Sequence, residues 1–160
     1  MRLAGAAGPL LEYDPSENPV TRDVVVDPPI TEEPAVHKIP VVPTDSAPPA
    51  GPYSPGVRVG NLLFVSGQGP FDAAGNLVGD DFASQARAAF ANIEAIVRAA
   101  GGDLSGIVRV GAYLKSLDDF AEWNAVMRDV LPAPYPARTT IPADLPDFLI
   151  EIDAVAVLPQ

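Results

Sequence analysis

Cysteine is absent from this sequence, and histidine occurs only once, at position 37. Without cysteine the chain has no disulfide, no thiolate nucleophile and no thiolate metal ligand, which fits a reducing compartment, so a cytoplasmic location is expected. His37 has no second histidine or cysteine with which to share a metal ion, and no metal site is predicted. The same shortage leaves Ser-His-Asp and Cys-His catalytic arrangements without support.

Basic residues are also few. The chain carries 10 Lys and Arg against 21 Asp and Glu, a formal net charge of −11, and its basic residues form no cluster. A phosphate backbone would be repelled, so no nucleic-acid partner is expected. No apolar run approaches the roughly 20 residues of a membrane helix, and the apolar start is broken at Pro9, which is not typical of a signal peptide. No membrane partner is expected either.

The composition divides the 160 residues into two parts. Residues 1–50 hold ten of the 19 prolines and eight acidic side chains against three basic ones. We therefore predict an acidic, proline-rich extension over residues 1–35 and one domain over residues 36–160. The extension is either a disordered tail or an arm that lies on the domain. Residues 24–26 and 39–42 are short apolar runs that fit edge strands, where proline is tolerated.

Periodicity assigns the first half of the domain. Residues 57–67 read as a hairpin around a Gly-Asn turn. Apolar residues then recur at helical spacing from position 82 to position 100, and Gly101-Gly102 predicts the end of that helix. Residues 107–114 are rich in β-branched residues and predict a strand parallel to the hairpin, connected by a helical crossover.

The second half contains one more helix and two more strands. A helix is predicted over residues 117–131, with an apolar stripe of Phe120, Trp123, Met127 and Val130, followed by strands over 137–141 and 149–157. The expected fold class is α+β: one mixed β-sheet with two helices on one face. The other face would expose apolar side chains to water, which predicts an oligomer that buries it.

Carboxylate and arginine chemistry remains after these exclusions. Arg138 lies between a proline turn and a β-branched strand start, where its planar fork of donors suits capture of a small-molecule carboxylate, or a surface ion pair. Glu151 interrupts the last strand and either orients a water or lies on a solvated strand face. Tyr53, in a Gly-Pro-Tyr-Ser turn, is by itself an ordinary packing residue.

Several stretches, read in order over about 120 residues, resemble the RidA (YjgF-type) family of enamine and imine deaminases. They are the Gly-Pro-Tyr-Ser turn at 51–54, Leu-Phe-Val-Ser-Gly-Gln at 63–68, the helix from Gln85 to Gly101, Phe120 to Asn124, Pro-Ala-Arg at 136–138 and Ile-Glu-Ile at 150–152. Residues 1–35 fall outside the resemblance.

The resemblance implies a homotrimer of chorismate-mutase-like subunits, with a central barrel and three clefts between neighbouring chains. It also implies hydrolysis of 2-aminoacrylate-type enamines and 2-imino acids to 2-oxo acids and ammonia, as in 2-iminobutanoate/2-iminopropanoate deaminases, without cofactor. In this reading Arg138 grips the substrate carboxylate and Glu151 holds the attacking water. The other implied cleft residues, from one or more subunits, are Tyr53, Ser66, Gly67, Asn124 and the main chain around Thr140.

The chain departs from the family pattern in two places, and two alternative functions stand beside deamination. Thr140 stands where many relatives have cysteine, and the loop over residues 142–148 is shorter than usual, which bears on substrate range. A non-catalytic module that binds small carboxylate metabolites with the same fold is the main alternative. Ribonuclease activity, sometimes attributed to such proteins, conflicts with the charge of −11 and the lack of a histidine pair.

Overall fold

The computed structural model describes residues 36–160, and the strand predicted over residues 24–26 lies outside them. Six strands, two α-helices and two 3-10 turns follow one another along this part of the chain. In order they are β1 (Ile39–Val41), β2 (Gly56–Val59), β3 (Leu62–Gln68), α1 (Phe82–Ala99), a 3-10 turn (Leu104–Gly106), β4 (Ile107–Leu114), a 3-10 turn (Leu117–Asp119), α2 (Phe120–Val130), β5 (Ala137–Pro142) and β6 (Ile150–Val157).

All six strands form one mixed sheet in the order β1-β2-β3-β6-β4-β5. Only β4 and β5 pair in parallel; the other neighbours are antiparallel. The predicted edge strand at 39–42 and the hairpin are confirmed, with Gly60 at φ +60° in the turn, a conformation that glycine adopts without steric cost. The α+β class predicted from the sequence is confirmed.

The placement of β4 differs in one respect from the simple crossover unit predicted. β4 runs in the same direction as β3, as expected, but β6 lies between them and pairs antiparallel with both. The crossover through α1 is therefore a split unit whose gap is filled by the last strand. The alternating pattern of β6 does not reveal this, because alternation reports which face is buried and not which strands are neighbours.

The first helix begins and ends where the sequence predicts. The Asp81 carboxylate accepts a hydrogen bond from the Ser84 backbone N–H at 2.8 Å and caps the N-terminus. Gly101 has φ +88° and ends the helix in the left-handed conformation. The buried face of α1 packs on β3 and β6, with Phe90, Ile93 and Ile96 almost fully enclosed.

The second helix starts at Phe120, three residues later than predicted, because residues 117–119 form a 3-10 turn capped by Ser116. Trp123 is fully buried and stacks on Phe90 of α1, with ring centroids 5.5 Å apart. The predicted stripe is partly wrong: Phe120 is 40% exposed, whereas Val126, which the prediction left out, is buried. Both helices pack on the same sheet face, as predicted.

The opposite sheet face, which we call the open face, has no helix on it within residues 36–160. It carries large apolar side chains exposed to solvent, including Leu62, Phe64 and Val157. The pairs Leu62–Val157 and Phe64–Val155 place these residues side by side. No helix in the described part of the chain is long and apolar enough to cross a membrane.

Candidate functional site

Glu151 lies on the open face, one residue into β6, opposite Tyr113 of β4. Its strand neighbours Ile150 and Ile152 point to the opposite face and are fully buried. Gly67 of β3 lies against the Glu151 side chain: a Cβ atom on Gly67 would be 2.8 Å from the carboxyl carbon. Glycine is therefore required at position 67 if the carboxylate is to keep this position.

Tyr53 and Ser66 complete the first group of predicted site residues. Ser66 is fixed by two contacts: its hydroxyl donates to the Ser54 carbonyl at 2.8 Å, and its N–H donates to the Pro55 carbonyl at 2.9 Å. The Tyr53 hydroxyl accepts a hydrogen bond from the Ala50 N–H at 3.1 Å. Tyr53, Ser66, Gly67 and Glu151 together line a cavity of about 250 Å³, which we call the polar lobe.

The Glu151 carboxylate is unusual in its surroundings. It is half-buried, and within residues 36–160 no hydrogen-bond donor contacts it. Burial raises the pKa of Glu151 above the ordinary glutamate range, and the nearby Asp153 charge raises this pKa further. A carboxylate with raised pKa and free lone pairs can accept a proton from, or orient, a small molecule in the polar lobe.

Asp153, by contrast, accepts a hydrogen bond on each of its carboxylate oxygens. Arg109 contacts one carboxylate oxygen at 2.7 Å, and the Tyr113 hydroxyl donates to the other at 2.8 Å. This hydrogen bond, together with the Asp153 charge, raises the pKa of Tyr113. Because Tyr113 donates to Asp153, it does not donate to Glu151, although the two residues are paired across β4 and β6.

Arg138 belongs to a second group, on the other side of the sheet. Its register partner on β4 is the buried Val110, so its side chain extends toward α2. One guanidinium nitrogen donates to the Asn124 Oδ1 atom at 2.6 Å and lies 3.4 Å from the Met127 sulfur, and the guanidinium carbon is 5.3 Å from the centre of the Phe120 ring. The Phe120 ring therefore lies beside the Arg138 guanidinium, outside the core between the helices and the sheet.

The surroundings of Arg138 form a cavity of about 280 Å³, lined by Asn124, Met127, Arg128, Tyr135 and Pro136 as well as by Arg138 itself. We call it the arginine lobe. No carboxylate lies within ion-pair distance of Arg138 in the described residues. The alternative of a surface ion pair therefore finds no partner in this part of the chain.

Thr140 follows on the same strand and the same sheet face. Its hydroxyl accepts a hydrogen bond from the Trp123 indole N–H at 3.2 Å. The hydroxyl thus satisfies the polar atom of a fully buried tryptophan, and β5 is an edge strand whose outer main chain is unpaired within the described sheet.

The predicted site residues therefore divide into two separate groups within one chain. Glu151 and Ile141 are both in register with Tyr113, two strand spacings apart, and Arg138 lies three residues before Ile141. Strand geometry then puts the backbones at Arg138 and Glu151 roughly 14 Å apart. Their side chains also leave opposite faces of the sheet. One chain does not bring Arg138 and Glu151 to the same small molecule.

A third cavity, of about 390 Å³, was not predicted from the sequence. It adjoins the polar lobe, because Tyr53, Gly67 and Glu151 line both cavities. Its far wall contains Phe71 and Phe148, whose rings meet edge to face with centroids 5.4 Å apart. We call this cavity the apolar lobe. The sequence shows two phenylalanines 77 positions apart and gives no sign that they meet.

Among residues 36–160 no group of three or more His, Cys, Asp or Glu side chains is placed to hold a metal ion, and His37 is exposed.

Comparison with known proteins agrees with this fold. Residues 44–158 match the family described as Endoribonuclease L-PSP, which contains the RidA and YjgF proteins. The chain belongs to this family, and the resemblance drawn from the sequence motifs is confirmed.

Similar proteins include relatives in sequence and solved structures. A RutC family protein of Pyrococcus horikoshii is 42% identical over 120 residues, covering 72% of this chain and 95% of that protein. A protein of Escherichia coli named 2-iminobutanoate/2-iminopropanoate deaminase is also 42% identical over 120 residues, covering 71% and 94%. The crystal structure of RidA from Psychrobacter superposes with a TM-score of 0.71 at 36% identity, covering 74% and 98%, and yeast Mmf1 with 0.73 at 28% identity, covering 77% and 100%.

Proposed function

We propose that this protein hydrolyses reactive enamines and their 2-imino acid tautomers to 2-oxo acids and ammonia. The observation that carries the proposal is Glu151: a half-buried carboxylate with raised pKa and no donor of its own in the described chain, in a cavity with Tyr53 and Ser66. The deaminase names of relatives at about 40% identity support the same reaction class.

The chemistry needs little beyond orientation. Water adds to the imine carbon, the nitrogen takes up protons and leaves as ammonia, and the carbonyl of the 2-oxo acid remains. Glu151 holds the water and accepts its proton as the carbon–oxygen bond forms. The Tyr53 and Ser66 hydroxyls and the main chain at Gly67 line the reacting centre. No cofactor takes part in this scheme.

Arg138 supplies the carboxylate clamp from a second chain. Its contacts with Asn124, Met127 and Phe120 fix the guanidinium, so that the remaining donors are preorganised for a bidentate bond to a substrate carboxylate. The main chain around Thr140, on the edge of the sheet, borders the same cleft. A site assembled from the polar lobe of one chain and the arginine lobe of its neighbour brings both functional groups to one substrate.

The assembly that closes this site is a homotrimer with the three open faces around a central barrel. The exposed apolar residues of the open face, among them Leu62 and Phe64, support association, because monomers rarely leave such a patch in water. We expect Phe64→Glu to give folded monomers without deaminase activity, measured by light scattering and turnover. Active monomers would contradict the shared site.

The test of function is a coupled assay. An amino-acid oxidase or a serine/threonine dehydratase generates the imino acid, and semicarbazide traps whatever has not been hydrolysed. Wild-type protein should reduce trapping and speed ammonia release, whereas Arg138→Ala should not. If neither protein changes the rate, and 2-oxo acids nevertheless bind, the chain is a carboxylate-binding module and the enzymatic proposal is wrong.

A further inference from the structure

The apolar lobe adjoins the reacting centre but has no part in the reaction described above. Its volume of about 390 Å³ falls in the range of small-molecule sites. The walls that it shares with the polar lobe include Glu151 and Gly67, so a substrate with its reacting carbon at Glu151 has this cavity directly beside it. The position is that of a substrate side chain.

The chemistry of the walls defines what fits. Pro48, Pro49, Phe71 and Phe148 are apolar, and none of the described residues that line the lobe is basic. A carboxylate group in this space would lose its hydration without gaining a basic partner. A branched aliphatic or aromatic group would instead bury apolar surface, which contributes about fourfold in binding for each enclosed methylene.

The lobe is a built feature and not a loose gap between loops. Its two rims are the segment at Ala47 and the turn at Gly69–Phe71, and the buried Asn92 side chain ties them together. Asn92 accepts from the Ala47 N–H at 3.0 Å and donates to the Gly69 and Phe71 carbonyls at 3.1 and 2.8 Å.

The Phe71 ring lies close to the backbone of Gly69, which has no side chain. A Cβ atom on Gly69 would lie 2.7 Å from the Phe71 ring, so glycine at this position leaves room for the aromatic wall. Three hydrogen bonds and one aromatic pair thus fix the shape of the lobe without a ligand.

We propose that the apolar lobe selects 2-imino acids with large apolar side chains, such as those derived from leucine or phenylalanine, over the alanine-derived imine. This inference rests on the deaminase function proposed above and adds the substrate class. We expect kcat/KM for the leucine-derived imine to exceed that for the alanine-derived imine by at least about tenfold, because three more carbons enter the lobe. The glutamate-derived imine should be the poorest of the three.

The test uses one cavity-filling variant and one matched control. Ala50 is exposed and lines the lobe, so Ala50→Leu fills the cavity without disturbing the core. Ala91→Leu makes the same change on the exposed face of α1, away from the lobe. Each protein is assayed with imines generated by an amino-acid oxidase at equal flux from leucine, alanine and glutamate.

Ala50→Leu should lower kcat/KM for the leucine-derived imine at least about fivefold and change the alanine-derived value less than about twofold, and Ala91→Leu should change neither. Equal wild-type rates on all imines, or equal losses in Ala50→Leu, would overturn the substrate class and leave the deaminase function standing. If the wild-type protein does not accelerate the hydrolysis of any of these imines, both the substrate class and the deaminase function are wrong.

Discussion

The division of the site between two sheet faces leads to a quantitative prediction about mixed assemblies. Arg138→Ala chains keep an intact polar lobe, and Glu151→Gln chains keep an intact arginine lobe. Each homo-oligomer should be inactive, because every site lacks one half. A site that takes its polar lobe from the first chain and its arginine lobe from the second is complete.

The size of the rescue follows from the geometry alone. In an equal mixture with free exchange, half of the sites take their polar lobe from the Arg138→Ala chain, and half of those meet an intact Arg138. The mixture should therefore recover about one quarter of the wild-type activity per chain. For a site contained in one chain the recovery would be nil.

The assay combines the two proteins in mild denaturant, removes it, and measures turnover per chain, with light scattering to confirm the assembly and a tag on one chain to confirm exchange. A second mixture, of wild type with the Arg138→Ala/Glu151→Gln double variant, gives an independent value. Shared sites predict about one quarter of wild-type activity in this mixture, and sites within one chain predict about one half. Demonstrated exchange without rescue would refute the shared site.

Three further predictions concern single positions. Arg138→Lys keeps the positive charge but loses the planar fork of donors, and should lower kcat/KM about 10- to 100-fold. An unchanged kcat/KM would mean that the positive charge alone binds the substrate carboxylate. Gly67→Ala pushes its new Cβ against Glu151, and should lower kcat/KM about 10- to 100-fold with an unchanged circular dichroism spectrum; full activity would contradict the close fit. Because burial and Asp153 raise the pKa of Glu151, the acidic fall in kcat/KM should lie above the ordinary glutamate range. Asp153→Asn should move this acidic fall to lower pH, whereas Tyr113→Phe should leave it in place because the Asp153 charge remains. Equal pH profiles for the wild type and both variants would refute the electrostatic coupling between Asp153 and Glu151.

Much of the fold could be predicted because each element carries a local signal. The helical period before Gly101 and the alternation of β6 depend on neighbours in the sequence, and the structure agrees with both. The insertion of β6 between β3 and β4 could not be predicted, because pairing partners leave no trace in a single strand's pattern. Phe120 was misplaced for a related reason: its partner is Arg138, 18 positions later, and a helical stripe reports only spacing.

The candidate site likewise contains some features that the sequence predicts and others that it does not. Motif resemblance named Glu151, Arg138 and their neighbours, and the structure places the members of each group together. The Asn92 bonds that hold the apolar lobe, and the Phe71–Phe148 pair, connect positions between 21 and 77 residues apart. A buried asparagine at helical spacing looks like an ordinary polar interruption, so the sequence alone does not reveal these contacts.

The half-buried Glu151 carboxylate also has a thermodynamic consequence for the chain that carries it. A carboxyl group whose pKa is raised on folding is more easily ionised in the unfolded chain, so ionisation favours unfolding. The loss of stability develops as the pH rises from the ordinary glutamate pKa to the raised one, and is complete above it. Above both pKa values a glutamine at position 151 should therefore fold more stably than the native glutamate, so this carboxylate lowers the stability of the chain that carries it.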